Sequence, residues 1–200
     1  MSRRFVALAA APLMAALIAG CASGGTRPAE RHGVVTMRGA PLTLVGPALE
    51  VGRRAPAFTA VANDMSTFSF RPGDGVVWII SAVPSLDTPV CSAETRRFNE
   101  AAASLGPGIK VLTVSMDLPF AQRRWCAAEG IENLQTVSDY RDRSFAEHYG
   151  VRIRENGLLA RSVFVIGPDG RIRYIQIVPE ISSEPQYEPV LAAARMARGS

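Results

Sequence analysis

Two uninterrupted apolar runs constrain this chain more than anything else in it. Val76-Val77-Trp78-Ile79-Ile80 and Val111-Leu112-Thr113-Val114 consist almost wholly of β-branched, aliphatic and aromatic residues. A half-exposed strand alternates apolar and polar positions, whereas a strand apolar at every position needs cover on both faces. Between the two runs the period changes. From Cys91 to Ala103 the pattern is helical, with Phe98, Ala101, Ala102 and Leu105 at helical spacing. Buried strands alternating with helices give an α/β domain.

The flanking segments fill in the order. Val34–Met37 and Leu42–Val45 surround Gly39-Ala40-Pro41 and read as a small hairpin. Short strands are expected at Phe58–Val61 and around Phe68 and Phe70. Pro119 can open a second helix, running to Glu129 and ended by Gly130. Thr136-Val137 reads as a strand and Ser144–Tyr149 as a short helix ended by Gly150. Val163–Ile166 and Ile172–Ile177 read as strands joined by the turn Gly167-Pro168-Asp169-Gly170. Pro189–Met196 lies within a last amphipathic helix. The order β-α-β-α-β-β-α resembles a thioredoxin-like core preceded by a β-hairpin.

The N-terminus reads as an address and an anchor. Arg3-Arg4 precedes an apolar run from Phe5 to Ala19, the two parts of an export signal. The run is too short to span a bilayer comfortably. It ends in Ile18-Ala19-Gly20-Cys21, which resembles a bacterial lipobox with Cys21 as the lipidated residue. The expected division is residues 1–20 as signal peptide, 21–33 as flexible tether and 34–200 as the folded domain. The expected location is the bacterial envelope, periplasmic side or outer membrane, with membrane contact only through the N-terminal lipid. The chain has 22 basic and 18 acidic side chains; without Arg3 and Arg4 the balance is 20 to 18. No dense basic cluster appears, so nucleic-acid binding is not expected.

Three cysteines are present. With Cys21 assigned to the lipid, Cys91 and Cys126 remain. In an exported domain two such cysteines can simply form a structural disulfide. They do not make a C-x-x-C motif, which speaks against a plain disulfide exchanger. Cys91 lies in the first turn of its expected helix, where free N–H groups and the helix dipole stabilise a thiolate, the nucleophilic form. A structural cystine has no need of that placement. His32 and His148 make no metal-ligand spacing with the cysteines, and no metal, haem or nucleotide cofactor is expected.

Several motifs then resemble one family. Pro84-Ser85-Leu86-Asp87-Thr88-Pro89-Val90-Cys91 is similar to the P-x-x-x-T-x-x-C loop of peroxiredoxins. That run, followed by Arg96-Arg97-Phe98-Asn99, resembles the thiol peroxidase branch. Asp117-Leu118-Pro119-Phe120-Ala121-Gln122 with Cys126 resembles its resolving-cysteine segment, and Leu158–Ile166 its arginine-bearing strand. Ala82-Val83 stands where an aromatic is common. The resemblance implies a thioredoxin-like fold of peroxiredoxin type and reduction of hydrogen peroxide and organic hydroperoxides. It implies Cys91 as the attacking thiolate, Cys126 as the resolving cysteine that closes an intrachain disulfide, and a thioredoxin-like dithiol as reductant. It assigns Arg161 to the thiolate and the developing charge, Thr88 to the sulfur or the peroxide, and Pro84 to shielding the thiolate from water. Val90 and Phe120 are the apolar groups expected near the pocket. Arg141 is a further candidate, with a solvated or ion-paired role as its plainer reading. A homodimer is also implied. A thiol–disulfide exchanger and a redox sensor on the same fold stay open as alternatives. With both cysteines expected on helices, local unwinding is expected during turnover.

Overall fold

The computed structural model describes residues 28–199. The signal segment 1–20, Cys21 and the tether as far as residue 27 lie outside the described residues. The chain opens with a hairpin, β1 (Glu30–Met37) and β2 (Ala40–Val45), followed by a second antiparallel pair, β3 (Phe58–Ala62) and β4 (Thr67–Phe70). Then come β5 (Val77–Ala82), α1 (Pro89–Leu105), β6 (Ile109–Ser115), α2 (Pro119–Ala128), β7 (Gln135–Ser138) and α3 (Ser144–Tyr149). The chain closes with β8 (Arg152–Ile153), β9 (Ser162–Ile166), β10 (Ile172–Ile177) and α4 (Tyr187–Arg198).

A seven-stranded sheet in the order β10-β9-β5-β6-β7-β3-β4 carries the domain. β5, the first of the apolar runs, sits at its centre, parallel to β6 and antiparallel to β9. Every residue of β5 is buried, as a strand covered on both sides requires. Its side chains divide by parity. Val77 and Ile79 face a core with Phe98 and Leu105 of α1 and Val190, Leu191 and Ala194 of α4. Trp78, Ile80 and Ala82 face the opposite core with Phe145, Ala146 and Tyr149 of α3. The aromatic rings of that second core meet both edge to face, as in Phe58–Phe145 at 5.0 Å and Tyr149–Phe164 at 5.0 Å, and stacked, as in Phe145–Tyr149 at 4.4 Å. The β10-β9-β5-β6 half with α1 and α4 is the thioredoxin-like core; β7, β3 and β4 widen the sheet on its far side.

Two departures from the sequence reading concern the N-terminal hairpin. The expected tether runs to residue 33, but β1 begins at Glu30. Glu30-Arg31-His32-Gly33 is polar enough to read as linker. Its backbone nevertheless pairs with β2, Glu30 opposite Val45 and Arg31 opposite Leu44, and its charge is met by Arg154 Nη1 at 2.7 Å from Glu30 Oε2. A break in register between Arg31 and Val35, with Gly33 at φ +70°, lets the strand resume in the expected place. The second departure is β8, which pairs with β2 and makes the hairpin a three-stranded sheet. The junction is tight at Gly150 (φ +63°): any Cβ there would lie 1.9 Å from the Pro47 carbonyl oxygen, so only glycine fits.

Candidate active site

Cys91 is the third residue of α1 and is fully buried. The loop before it holds the helix start in place. Thr88 is the N-cap residue, and its carbonyl accepts the Ser92 N–H at 2.9 Å. A threonine at this position ordinarily turns its hydroxyl onto a free N–H of the first turn. Here the hydroxyl makes no such bond. Thr88 Oγ1 lies 2.9 Å from Cys91 Sγ and 3.0 Å from the Ser85 carbonyl oxygen. Its single proton serves one of them at a time, so an anionic sulfur draws it over. A helix cap worth about 1 kcal/mol is given up for a contact with sulfur.

Arg161 comes from the residue before β9 and is the largest fully buried side chain among the described residues. Its guanidinium is fixed on three sides. Nε donates to the Ile181 carbonyl at 2.9 Å, Nη1 donates to Glu94 Oε2, and Nη2 donates to Cys91 Sγ at 3.2 Å. Burial works against the arginine's charge, but the Glu94 carboxylate and the Cys91 sulfur beside it hold its pKa above the ordinary value. Glu94 has no exposed surface. Its other oxygen accepts Ser81 Oγ from β5 at 2.7 Å. Burial pushes the Glu94 carboxyl up, and the guanidinium opposes that push. Glu94 therefore orients Arg161 from behind while Arg161 faces the sulfur. Sequence reading overlooked Glu94, because a glutamate in a helix is ordinarily solvated. The signal available was its spacing, three residues after Cys91 and four before Phe98, on the buried face of α1.

Pro84 is buried at the start of the loop. The rest of the loop is tied down by Asp117, another residue outside the expected set of site residues. One Asp117 oxygen accepts Ser85 Oγ at 2.7 Å; the other accepts the Leu86 N–H at 2.8 Å and Ser115 Oγ at 2.7 Å. Gln122 of α2, fully buried, donates to Ser115 Oγ at 2.9 Å and to the Val137 carbonyl at 3.0 Å. The loop of Cys91 and the first turn of α2 thus share one polar network, whose members polarise one another. Val83, Leu86 and Cys91 form a small apolar cluster with Trp125 of α2 packed against it.

Cys126 sits one residue further along α2 and is half-buried; both cysteines are free thiols. Burial pushes the Cys126 thiol up. Val90 is half-buried, whereas Phe120 stands 53% exposed beside Leu118 at 52%. Arg141 is a surface residue paired with the adjacent Asp142 at 2.9 Å and takes no part in the cluster around Cys91. A hollow of about 350 Å³ lined by Phe58, Phe70 and His148 shares no residue with that cluster. The Cys91 sulfur is buried and does not open into that hollow.

Against known proteins, the profile of the Redoxin family matches residues 50–191. The chain belongs to the Redoxin family. It is 51% identical over 163 residues to a thiol peroxidase of Halalkalibacterium halodurans, covering 82% of this chain and 98% of the relative. It is 50% identical over 161 residues to the thiol peroxidase of Bacillus subtilis, covering 80% and 96%. Among solved structures, a peroxiredoxin-like protein from Aquifex aeolicus superposes with a TM-score of 0.78 at 44% identity, covering 86% of this chain and 99% of that one. The chain is a peroxiredoxin-type oxidoreductase with a thioredoxin-like fold, as its sequence motifs implied.

Proposed function

We propose that this enzyme reduces hydrogen peroxide and organic hydroperoxides through Cys91, with Cys126 as the resolving cysteine. The observation that carries the reading is the convergence of Arg161 Nη2 and Thr88 Oγ1 on one buried sulfur, at 3.2 Å and 2.9 Å. A fixed cation, a hydroxyl and a helix N-terminus meet at one thiol. The thiolate attacks one peroxide oxygen in line with the O–O bond. That bond breaks, the leaving oxygen takes a proton and departs as alcohol or water, and Cys91 becomes a sulfenic acid. Three of the five guanidinium N–H groups of Arg161 are committed to Ile181, Glu94 and Cys91. Two remain to meet the charge that develops on the leaving oxygen. Buried Pro84, which has no N–H to offer water, is assigned to shielding the thiolate.

The Cys126 thiol then displaces water from the sulfenic acid and forms an intrachain disulfide. A thioredoxin-like dithiol returns both cysteines to thiols. The N-terminal pattern supports export and lipidation at Cys21, with the domain tethered at the envelope. A homodimer is part of the same reading. The test is single-turnover kinetics of the reduced chain with one equivalent of cumene hydroperoxide, beside Cys91→Ser and Cys126→Ser. Fast peroxide loss that vanishes in Cys91→Ser, with a two-proton mass loss only when both cysteines are present, is the expected result. Peroxide loss indifferent to Cys91 overturns the assignment. Radiolabelled palmitate incorporated by the wild-type chain and not by Cys21→Ser tests the anchor.

A further inference from the structure

The two sulfurs of the proposed disulfide begin the reaction held by different partners. Cys91 Sγ belongs to Thr88 and Arg161. Cys126 Sγ lies 3.3 Å from Thr136 Oγ1 of β7 and 4.0 Å from Asn63 Nδ2, in the loop after β3. Asn63 Nδ2 also donates to Thr136 Oγ1 at 2.8 Å. The threonine oxygen therefore accepts from the amide, which leaves its own proton free to turn toward the sulfur. Thr136 itself is buried. Trp125, the residue before Cys126, meanwhile packs on the cluster around Cys91. Neighbours on a helix point about 100° apart. With Trp125 lying over Cys91, Cys126 is turned aside to β7, and the disulfide requires α2 to let go of β7.

Apart from the packing of Trp125, little else buries that part of α2. Its only buried residues are Pro119 and Gln122, both in its first half. Its C-terminal end carries the Arg96–Glu129 ion pair at 2.6 Å, a surface contact of small weight. Gln122 ties the first turn of α2 to β7 and Asn99 ties the loop after the helix, while the hydroxyl and amide beside Cys126 restrain the turn between them.

We infer that Thr136, backed by Asn63, latches the resolving thiol and so sets how much Cys91 sulfenic acid becomes disulfide and how much is oxidised further. The inference rests on Cys126 being the resolving cysteine. Two reactions compete for the sulfenic acid. In one, the Cys126 thiol forms the S–S bond and a water leaves. In the other, a second peroxide transfers an oxygen to Cys91, giving the sulfinic acid and an alcohol, with the peroxide as oxidant. The first waits for the latch to open; the second does not. Thr136 and Asn63 are positioning residues. They touch neither Cys91 nor its partners, and they act through the availability of Cys126.

The experiment uses the full-length chain in mild detergent, reduced and mixed with graded cumene hydroperoxide. Trp125 fluorescence follows disulfide formation, and mass spectrometry measures the sulfinic fraction. In Thr136→Val the disulfide-forming phase is expected to quicken about fivefold, the factor one net hydrogen bond supplies. The peroxide concentration giving half sulfinic acid rises by the same factor, while the peroxide-attack phase keeps its rate. Asn63→Ala, at a loop position that leaves β7 intact, moves both readouts the same way. Thr136→Ser keeps the hydroxyl and restores wild-type behaviour. A Cys126-dependent disulfide in the wild type whose formation neither Thr136→Val nor Asn63→Ala quickens overturns the latch alone. A wild type that forms no disulfide through Cys126 overturns the two-cysteine reading and the latch with it.

Discussion

The most searching perturbation is Arg161→Met, alone and combined with Glu94→Gln. In the wild type the two form a buried ion pair, with side chains 2% and 0% exposed. Taking away one partner leaves the other's charge unmatched, which costs about 3–5 kcal/mol. Against a total folding stability of roughly 5–15 kcal/mol, that is a large share. Glu94 would relieve part of the cost by taking up a proton. Burial already raises its pKa, and losing the guanidinium raises it further. A folded-state pKa above the unfolded one stabilises below the unfolded value and loses that contribution as pH rises through the folded value. Arg161→Met is therefore expected to weaken as pH rises above the unfolded glutamate value, while the double variant stays flat, its carboxylate gone. At neutral pH the double variant should regain about 2 kcal/mol over the single one, read as the difference between their unfolding free energies in urea. Both variants lose peroxide reduction by about 10²–10³-fold, since neither offers a donor to the leaving oxygen. A double variant no stabler than Arg161→Met, or a single variant with a flat pH profile, would refute the argument that these two charges depend on each other.

Other outcomes follow from the same geometry. Asp139 is buried, its carboxylate accepting the N–H groups of Phe145 at 3.0 Å and Ala146 at 2.8 Å, and burial pushes its pKa up to about 6. Its contribution is present below the unfolded pKa and fades as pH rises through about 6, so Asp139→Asn should flatten the stability profile there by about 3 kcal/mol. Thr88→Val removes the hydroxyl at Cys91 Sγ; peroxide reduction should fall about tenfold in stopped flow, the effect of one bond to a charged group. Asp117→Ala frees Ser85 Oγ, Ser115 Oγ and the Leu86 N–H together, and urea titration should show a loss of about 2–3 kcal/mol.

Much of the fold was legible because two-sided burial leaves a plain mark. The runs at Val76–Ile80 and Val111–Val114 are β5 and β6, and the helix beginning with Cys91's turn is α1. β8 was not legible: two residues cannot display a period, and Arg152–Ile153 became a strand only because the hairpin came to lie beside it. The start of β1 was missed for a different reason. Composition tells whether a segment can be buried, and an edge strand with solvated side chains needs no burial. At the site, Thr88, Cys91 and Arg161 stood out through motif spacing, and the structure brings all three together. Glu94 and Asp117 did not stand out, because their roles exist only through partners distant in sequence, Arg161 67 positions on from Glu94 and Ser85 32 back from Asp117.

The stitching of the N-terminal hairpin into the loop after β10 has a mechanical consequence. Thr36 of β1 donates its N–H to the Pro179 carbonyl at 2.6 Å and accepts the Ile181 N–H at 2.9 Å. The Glu180 carboxylate between them takes the N–H groups of Arg38 at 2.9 Å and Gly39 at 3.0 Å. The carbonyl of Ile181 is the one that steadies Nε of Arg161. A tug on the N-terminus therefore travels along β1, crosses to Ile181 and arrives at the guanidinium. A load on the N-terminal end of β1 would thus have a hydrogen-bonded route through Ile181 to the guanidinium that faces Cys91.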